Sequence, residues 1–163
     1  LKGMIKYWPQ VNCQKEVMYL NELEELLELT RPEEFKQLLT PLFRQLSAAI
    51  GSPHFQVAER ALFLWHNEYI TSLVAEHRHE ILPIIFPVLI RNSESHWNPT
   101  VNQLTVNVLK IFEELEPNLV EQCEQQHQQN VKAKEAFQTK AVVVWADLEK
   151  RYSEYKSKQE TNK

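Results

Sequence analysis

The chain has 163 residues, 43% of them hydrophobic, and a formal net charge of −4. That suffices for one domain with a real core, and so mild a charge gives no reason to expect nucleic acid or an anionic membrane as partner. Two glycines, Gly3 and Gly51, argue against a β-rich or Rossmann-type fold, and no run approaches the ~18 apolar residues of a membrane span.

In chain order, Leu1, Met4, Ile5 and Trp8 read as the tail end of an amphipathic helix. Helical arrays normally end in a polar capping repeat. This start is not one, so a piece of a longer protein is expected, with further repeats on the N-terminal side. Pro9 stops the opening piece. The next helix is predicted from about Gln14 to Thr30, with Val17, Leu20, Leu23, Leu26 and Leu27 inward. Glu22, Glu24, Glu25 and Glu28 make its other side acidic, either as a solvated face or as a ridge facing a partner. Thr30-Arg31-Pro32-Glu33 resembles a capping box and opens a helix to about Ile50. Phe35, Leu38, Leu39, Leu42, Phe43 and Leu46 point inward. Pro41 is expected to bend this helix, and Gly51 to end it. The two helices form one antiparallel pair.

Ser52 reads as an N-cap with Pro53 at the first helical position. Phe55, Ala58, Ala61, Leu62 and Trp65 make the buried stripe, and Val57 and Leu64 widen it, so this helix is expected to be covered on two sides. The pattern falters at His66-Asn67-Glu68-Tyr69 and continues through Ile70, Leu73 and Val74. A helix from about Arg78 to Asn92 follows, with Ile81, Leu82, Ile85, Phe86, Leu89 and Ile90 inward and Pro83 and Pro87 as sources of a kink or an irregular first turn. Arg91 to Asn98 reads as a polar loop holding Trp97. Asn98-Pro99 repeats the cap-plus-proline start, with Val101, Leu104, Val108, Ile111, Phe112 and Leu115 on the stripe. Pro117 opens a last, long helical stretch whose middle, Glu121 to Asn130, is nearly all polar. Periodicity resumes at Phe137, Ala141, Val144, Trp145, Leu148, Tyr152 and Tyr155. Residues 153–163 are a polar tail expected to fray or be disordered.

Two landmarks recur at one offset. Pro41 and Pro87 sit in similar strings, Pro53 and Pro99 follow similar caps, and both separations are about 46 residues. That falls in the ~40–47 residue period of HEAT and armadillo units. The fold expected is therefore all-α: a right-handed α-solenoid of antiparallel helix pairs over residues 1–152, about three repeats plus a long C-terminal helix. A plain helical bundle is the alternative.

Signatures of catalysis are missing. There is no Gly-rich phosphate loop, no His-Glu-x-x-His and no Cys-x-x-Cys. His77 and His79 are two apart and cannot share a helix face; Cys123 and His127 can, but two ligands alone do not make a metal site. No cofactor or metal is expected. Cys13 and Cys123 suggest no disulfide framework, which fits an intracellular, reducing compartment such as cytoplasm or nucleus. Trp65 and Trp145, on apolar stripes, are read as core anchors. Glu59 and Arg60 serve either as a structural pair or as partner contacts. Trp97 either folds back as a lid on the core or offers an interface anchor. An array with no catalytic constellation works as a surface, so binding outranks catalysis.

The strings Glu16-Val-Met-Tyr-Leu-Asn-Glu-Leu-Glu-Glu25, Pro41-Leu-Phe-Arg-Gln-Leu46, Ser52-Pro-His-Phe-Gln-Val-Ala-Glu-Arg-Ala-Leu62, Asn67-Glu-Tyr-Ile70, Arg91-Asn-Ser93 and His96-Trp-Asn98 closely resemble the B-prime (B56-type) regulatory subunits of protein phosphatase 2A. The Ser52–Leu62 string is the most specific, and the match runs from Leu1 to about Gln125. The resemblance implies a non-catalytic subunit of a heterotrimeric Ser/Thr phosphatase, a curved solenoid that binds the scaffold and catalytic subunits and holds substrates near the active site. The groove that takes the family's short Leu-x-x-Ile-x-Glu substrate motifs lies upstream of Leu1, so no pocket residue is carried over and substrates are expected to bind mainly through repeats missing here. Lys140 to Glu149 departs from the family in being apolar just before Trp145; it either seals the last repeat or forms a self-association surface. The glutamine-rich stretch departs too. Candidate partner contacts, drawn from loops and helix ends, are Glu59, Arg60, Asn67, Glu68, Tyr69, Arg91, Asn92, His96 and Trp97. A general helical-repeat adaptor, such as a transport-receptor fragment, is the second reading, and a catalytic domain of unknown type the third.

Overall fold

The computed structural model describes residues 1–161, without the side chains of residue 141 and residues 153–161. Eight α-helices follow in order among the described residues: α1 Lys2–Lys6, α2 Cys13–Glu28, α3 Pro32–Ile50, α4 Phe55–Phe63, α5 Glu68–Glu76, α6 Arg78–Ser95, α7 Pro99–Leu115 and α8 Pro117–Thr161. A short 3-10 turn, Leu64–His66, carries α4 toward α5. No strand occurs among the described residues, so the all-α expectation holds. Of the expected polar tail, residues 162 and 163 lie outside the described residues. The chain divides into two compact units, Leu1–Cys123 and Glu124–Lys163.

In the first unit the helices form two rows. α2, α4 and α7 lie side by side in one, and α1, α3 and α6 in the other; α3 also packs on α4, and α6 on α7. The equivalent helices of the 46-residue repeat are therefore the ones that stack, α3 on α6 and α4 on α7. α4, the middle of its row, is covered on both sides as its widened stripe demands. Val57, Ala58, Ala61 and Leu62 are all wholly buried. Their small or branched side chains let α2 and α7 approach closely. Phe35, Phe43, Phe86 and Phe112 are among the largest buried side chains of the core.

Several helix ends depart from expectation for local reasons. α2 is capped by Asn12, whose side chain accepts from Lys15 N at 3.0 Å. Thr30 does not cap α3: its hydroxyl donates back to Leu26 O at 2.5 Å, and α3 starts with Pro32 after an uncapped Arg31. Ser52 does not cap α4 either. Its oxygen accepts from His54 N at 3.2 Å in a tight local turn, and α4 begins at Phe55. Asn98, by contrast, accepts from Thr100 N at 2.9 Å and Val101 N at 3.3 Å, with Pro99 opening α7. Gly51 ends α3, but its φ is −86°, not left-handed. Glycine leaves room there: a Cβ would crowd Val88 Cγ2 at 3.0 Å and push the exposed Arg91 guanidinium aside. Pro41, Pro83 and Pro87 lie inside α3 and α6 on the exposed side, where the bond each one removes costs least.

The polar loop expected from Arg91 shrinks to His96–Asn98, because α6 runs on to Ser95. Ser93 and Ser95 stay helical by donating to Ile90 O (2.8 Å) and Arg91 O (2.9 Å). The second unit is a single helix. Trp145, expected as a core anchor, is 67% exposed there; one helix offers its apolar stripe nothing within its own unit to pack against. Leu115, expected inward at the end of α7, is 44% exposed on a groove it lines with Trp65, Ala75 and Ile111.

Candidate functional site

The nine candidate residues sort into two places on the first unit. Toward the C-terminal end of α4, most of them brace the stack. The Arg60 guanidinium donates to Asn21 Oδ1 and pairs with the Glu24 carboxylate. Asn67 does two jobs. Its side-chain oxygen caps α5, accepting from Tyr69 N at 3.1 Å and Ile70 N at 3.4 Å. Its amide nitrogen donates to Glu24 (3.2 Å) and Glu28 (2.5 Å). The Tyr69 hydroxyl donates to Thr30 O at 2.9 Å. The inner part of the acidic α2 face is thus occupied from within the chain, leaving Glu22 and Glu25 in solvent. Glu68 is exposed, and Glu59 borders a shallow groove of about 400 Å³ between α2 and α4, with Val17, Gln56 and Phe63.

The second place is the edge formed by the α3–α4 and α6–α7 connections. Asn92 is 3% exposed and its amide donates to Ile50 O at 2.8 Å, which satisfies a carbonyl orphaned at the end of α3. Asn102 of α7 in turn donates to Asn92 O (3.2 Å) and Ser93 O (2.6 Å). This chain of amides ties the end of α3 to α6 and α6 to α7. Replacing Asn92 with Ala strands the buried Ile50 carbonyl, an expected loss of about 1–3 kcal/mol, measurable as a lower urea midpoint with unchanged slope.

Outside this clamp lies the exposed part of the edge. Trp97 is 68% exposed. Its ring meets the edge of Phe55 at 5.7 Å and stacks on His96 at 5.8 Å. His96 is itself held by Asn98 N, which donates to its Nδ1 at 3.1 Å. Arg91 is exposed, touching Gly51 O at 3.4 Å. Together with Ser52, Pro53 and Ser95 these residues line a groove of about 230 Å³. Trp97 is thus propped by Phe55 and His96 while most of its ring stays in solvent. An aromatic held this way, beside an unburied guanidinium, suits capture of a protein surface. It offers no nucleophile–base pair.

No group of three or more His, Cys, Asp or Glu able to hold a metal occurs among the described residues. Burial pushes the Cys123 thiol up from its ordinary value, which suits a packing residue and not a reactive one. No helix among the described residues is long and apolar enough to cross a membrane. Sequence reasoning missed Asn21, Glu24, Glu28 and Asn102 as the internal partners of the candidate residues. The partners come from the packing of α2 on α4 and of α6 on α7, which the 46-residue offset does not itself encode.

Known proteins match most of this chain. The family model described as protein phosphatase 2A regulatory B subunit (B56 family) matches residues 1–152. The match extends past Gln125 and takes in the glutamine-rich stretch and Trp145. The chain is 49% identical over 149 residues to the B' eta isoform of the 59 kDa regulatory subunit of serine/threonine protein phosphatase 2A from Arabidopsis thaliana, covering 91% of this chain and 29% of that protein. It is 53% identical over 125 residues to the delta isoform of the Homo sapiens 56 kDa regulatory subunit, covering 77% and 21%. The B' beta isoform of the Arabidopsis thaliana 57 kDa regulatory subunit is 47% identical over 148 residues, covering 91% and 30%. The chain spans less than a third of the length of these relatives.

Proposed function

Because the chain belongs to the B56 family of protein phosphatase 2A regulatory B subunits, we propose that it is the non-catalytic repeat region of such a protein, extending over residues 1–152. It acts by contact. One surface holds the scaffold and catalytic subunits of a heterotrimeric Ser/Thr phosphatase, and a phosphorylated substrate is thereby kept near an active site on another chain at high effective concentration. Substrate selection rests mainly on repeats upstream of Leu1. The working compartment is cytoplasm, nucleus or both.

The observation that carries this reading is the propped, largely exposed Trp97 beside Arg91 at one edge of the stack. Glu59, Glu68 and His96 are exposed enough to contribute. Arg60, Asn67, Tyr69 and Asn92 serve it indirectly, by fixing the helices and loops on which those residues stand. Affinity purification of the full-length protein carrying this chain, followed by mass spectrometry, tests the reading. The expected result is recovery of scaffold and catalytic subunits in near-equal amounts. Recovery of other partners without either subunit favours the general helical-repeat adaptor instead.

A further inference from the structure

From residue 124 on, the chain is one helix. Its C-terminal half carries large apolar side chains in solvent: Phe137 is 73% exposed, Trp145 67%, Tyr152 68%, Val144 58% and Leu148 49%. At 3.6 residues per turn these five fall within about 100° of the circumference, the width of face that a helix buries against a neighbour. The polar residues between Glu124 and Asn130 confine the stripe to the half of the helix that follows.

We propose that this face is a self-association surface, and that its occupant is the same helix of a second copy, packed antiparallel. The charges beside the stripe choose the orientation. Arg151, Lys140 and Asp147 lie on one flank, with Arg151 nearest the stripe; Gln138 and Glu149 lie on the other. Antiparallel packing centred near Val144 sets each flank against the same flank of the other copy, so Lys140 meets Asp147 twice across the two-fold axis. Parallel packing sets the Lys140 flank against Gln138 and Glu149, where the carboxylate nearest Lys140, that of Glu149, is about 13 Å away along the axis. Asp147 takes Arg151 Nε at 2.8 Å within its own helix. An exposed pair of that kind is worth little and leaves the carboxylate free to share.

The area is sufficient. Each aromatic offers roughly 150–250 Å², so with Val144 and Leu148 two copies bury on the order of 1,200 Å², the lower end for a specific interface. Self-association of this helix stands apart from the phosphatase reading and holds whether or not that reading does.

Sedimentation velocity of the 163-residue chain across the micromolar range tests it. The expected result is a monomer–dimer equilibrium whose Kd rises at least tenfold in Leu148→Glu, with helicity by circular dichroism unchanged. Lys140→Glu and Asp147→Lys each weaken the dimer, and the double variant restores it. A wild-type chain that stays monomeric throughout, a Leu148→Glu variant that dimerises like wild type, or a double reversal that fails to restore association each overturns the proposal.

Discussion

Trp65→Ala should lower the stability of the chain by about 3–5 kcal/mol, as truncation of a large buried aromatic does, and drop the thermal midpoint by roughly 6–20 °C for a domain of this size. Trp65 sits in the 3-10 turn after α4 and is 5% exposed. Its ring meets Phe43 of the other row edge-on at 6.5 Å, so one side chain links the two rows where the stack changes direction toward α5. Collapse around the void would have to move α3, which is pinned by its own contacts with α4 and α6, so little relaxation is available. The indole N–H is buried and has no protein partner among the described residues. Trp65→Phe keeps a ring against Phe43, so its cost should be well under half that of the alanine variant. Urea or thermal melts of the two variants side by side check the argument. Equal losses, or no loss in Trp65→Ala, contradict it.

Arg91→Ala with Trp97→Ala, made together in the full-length protein, should weaken assembly with the scaffold and catalytic subunits by roughly thirty-fold, the ~2 kcal/mol of an interface hot spot. Trp97 has much of its ring still to bury and is already oriented by Phe55 and His96, so docking it costs little side-chain entropy. Arg91 contributes a charge held by the chain through a long contact, 3.4 Å to the Gly51 carbonyl. Neither side chain is buried, and folding should be nearly unaffected. Binding measured by surface plasmon resonance, next to a melt, separates the two effects. Wild-type affinity removes these residues from the interface; lost stability reassigns them to the fold.

The architecture was legible in the sequence because proline and asparagine leave local signs that tertiary packing did not override. Asn98-Pro99 starts α7 as read, since the side chain reaches two free N–H groups and the ring suits the first turn. The two stacking relations, α3 on α6 and α4 on α7, are the 46-residue offset seen in space. Ser52-Pro53 misled for a physical reason. A serine oxygen can close a two-residue turn as easily as it can cap a helix, and nothing local decides between them. Gly51 ends α3 as read, while the close approach of Val88 that it permits comes from the next repeat and leaves no local sign. The candidate surface was harder to read. Polarity in a loop marks Asn67, Asn92 and Trp97 alike, yet the first two are committed to Glu28 and Ile50 within the chain while Trp97 is left outside. The difference depends on which helix lies across the loop, which a local pattern does not encode. Trp145 shows the converse: a well-formed apolar stripe states that a neighbour is wanted and not whether one is present.

The most direct measurement is reconstitution. Purified full-length protein is mixed with a preformed complex of scaffold and catalytic subunits and run on a sizing column with light scattering. The reading of this chain as part of a contact surface in a phosphatase holoenzyme requires one peak holding all three proteins in equal number, with phosphopeptide hydrolysis found only where the catalytic subunit elutes. A protein that elutes apart from the core complex, or that hydrolyses the phosphopeptide by itself, contradicts it.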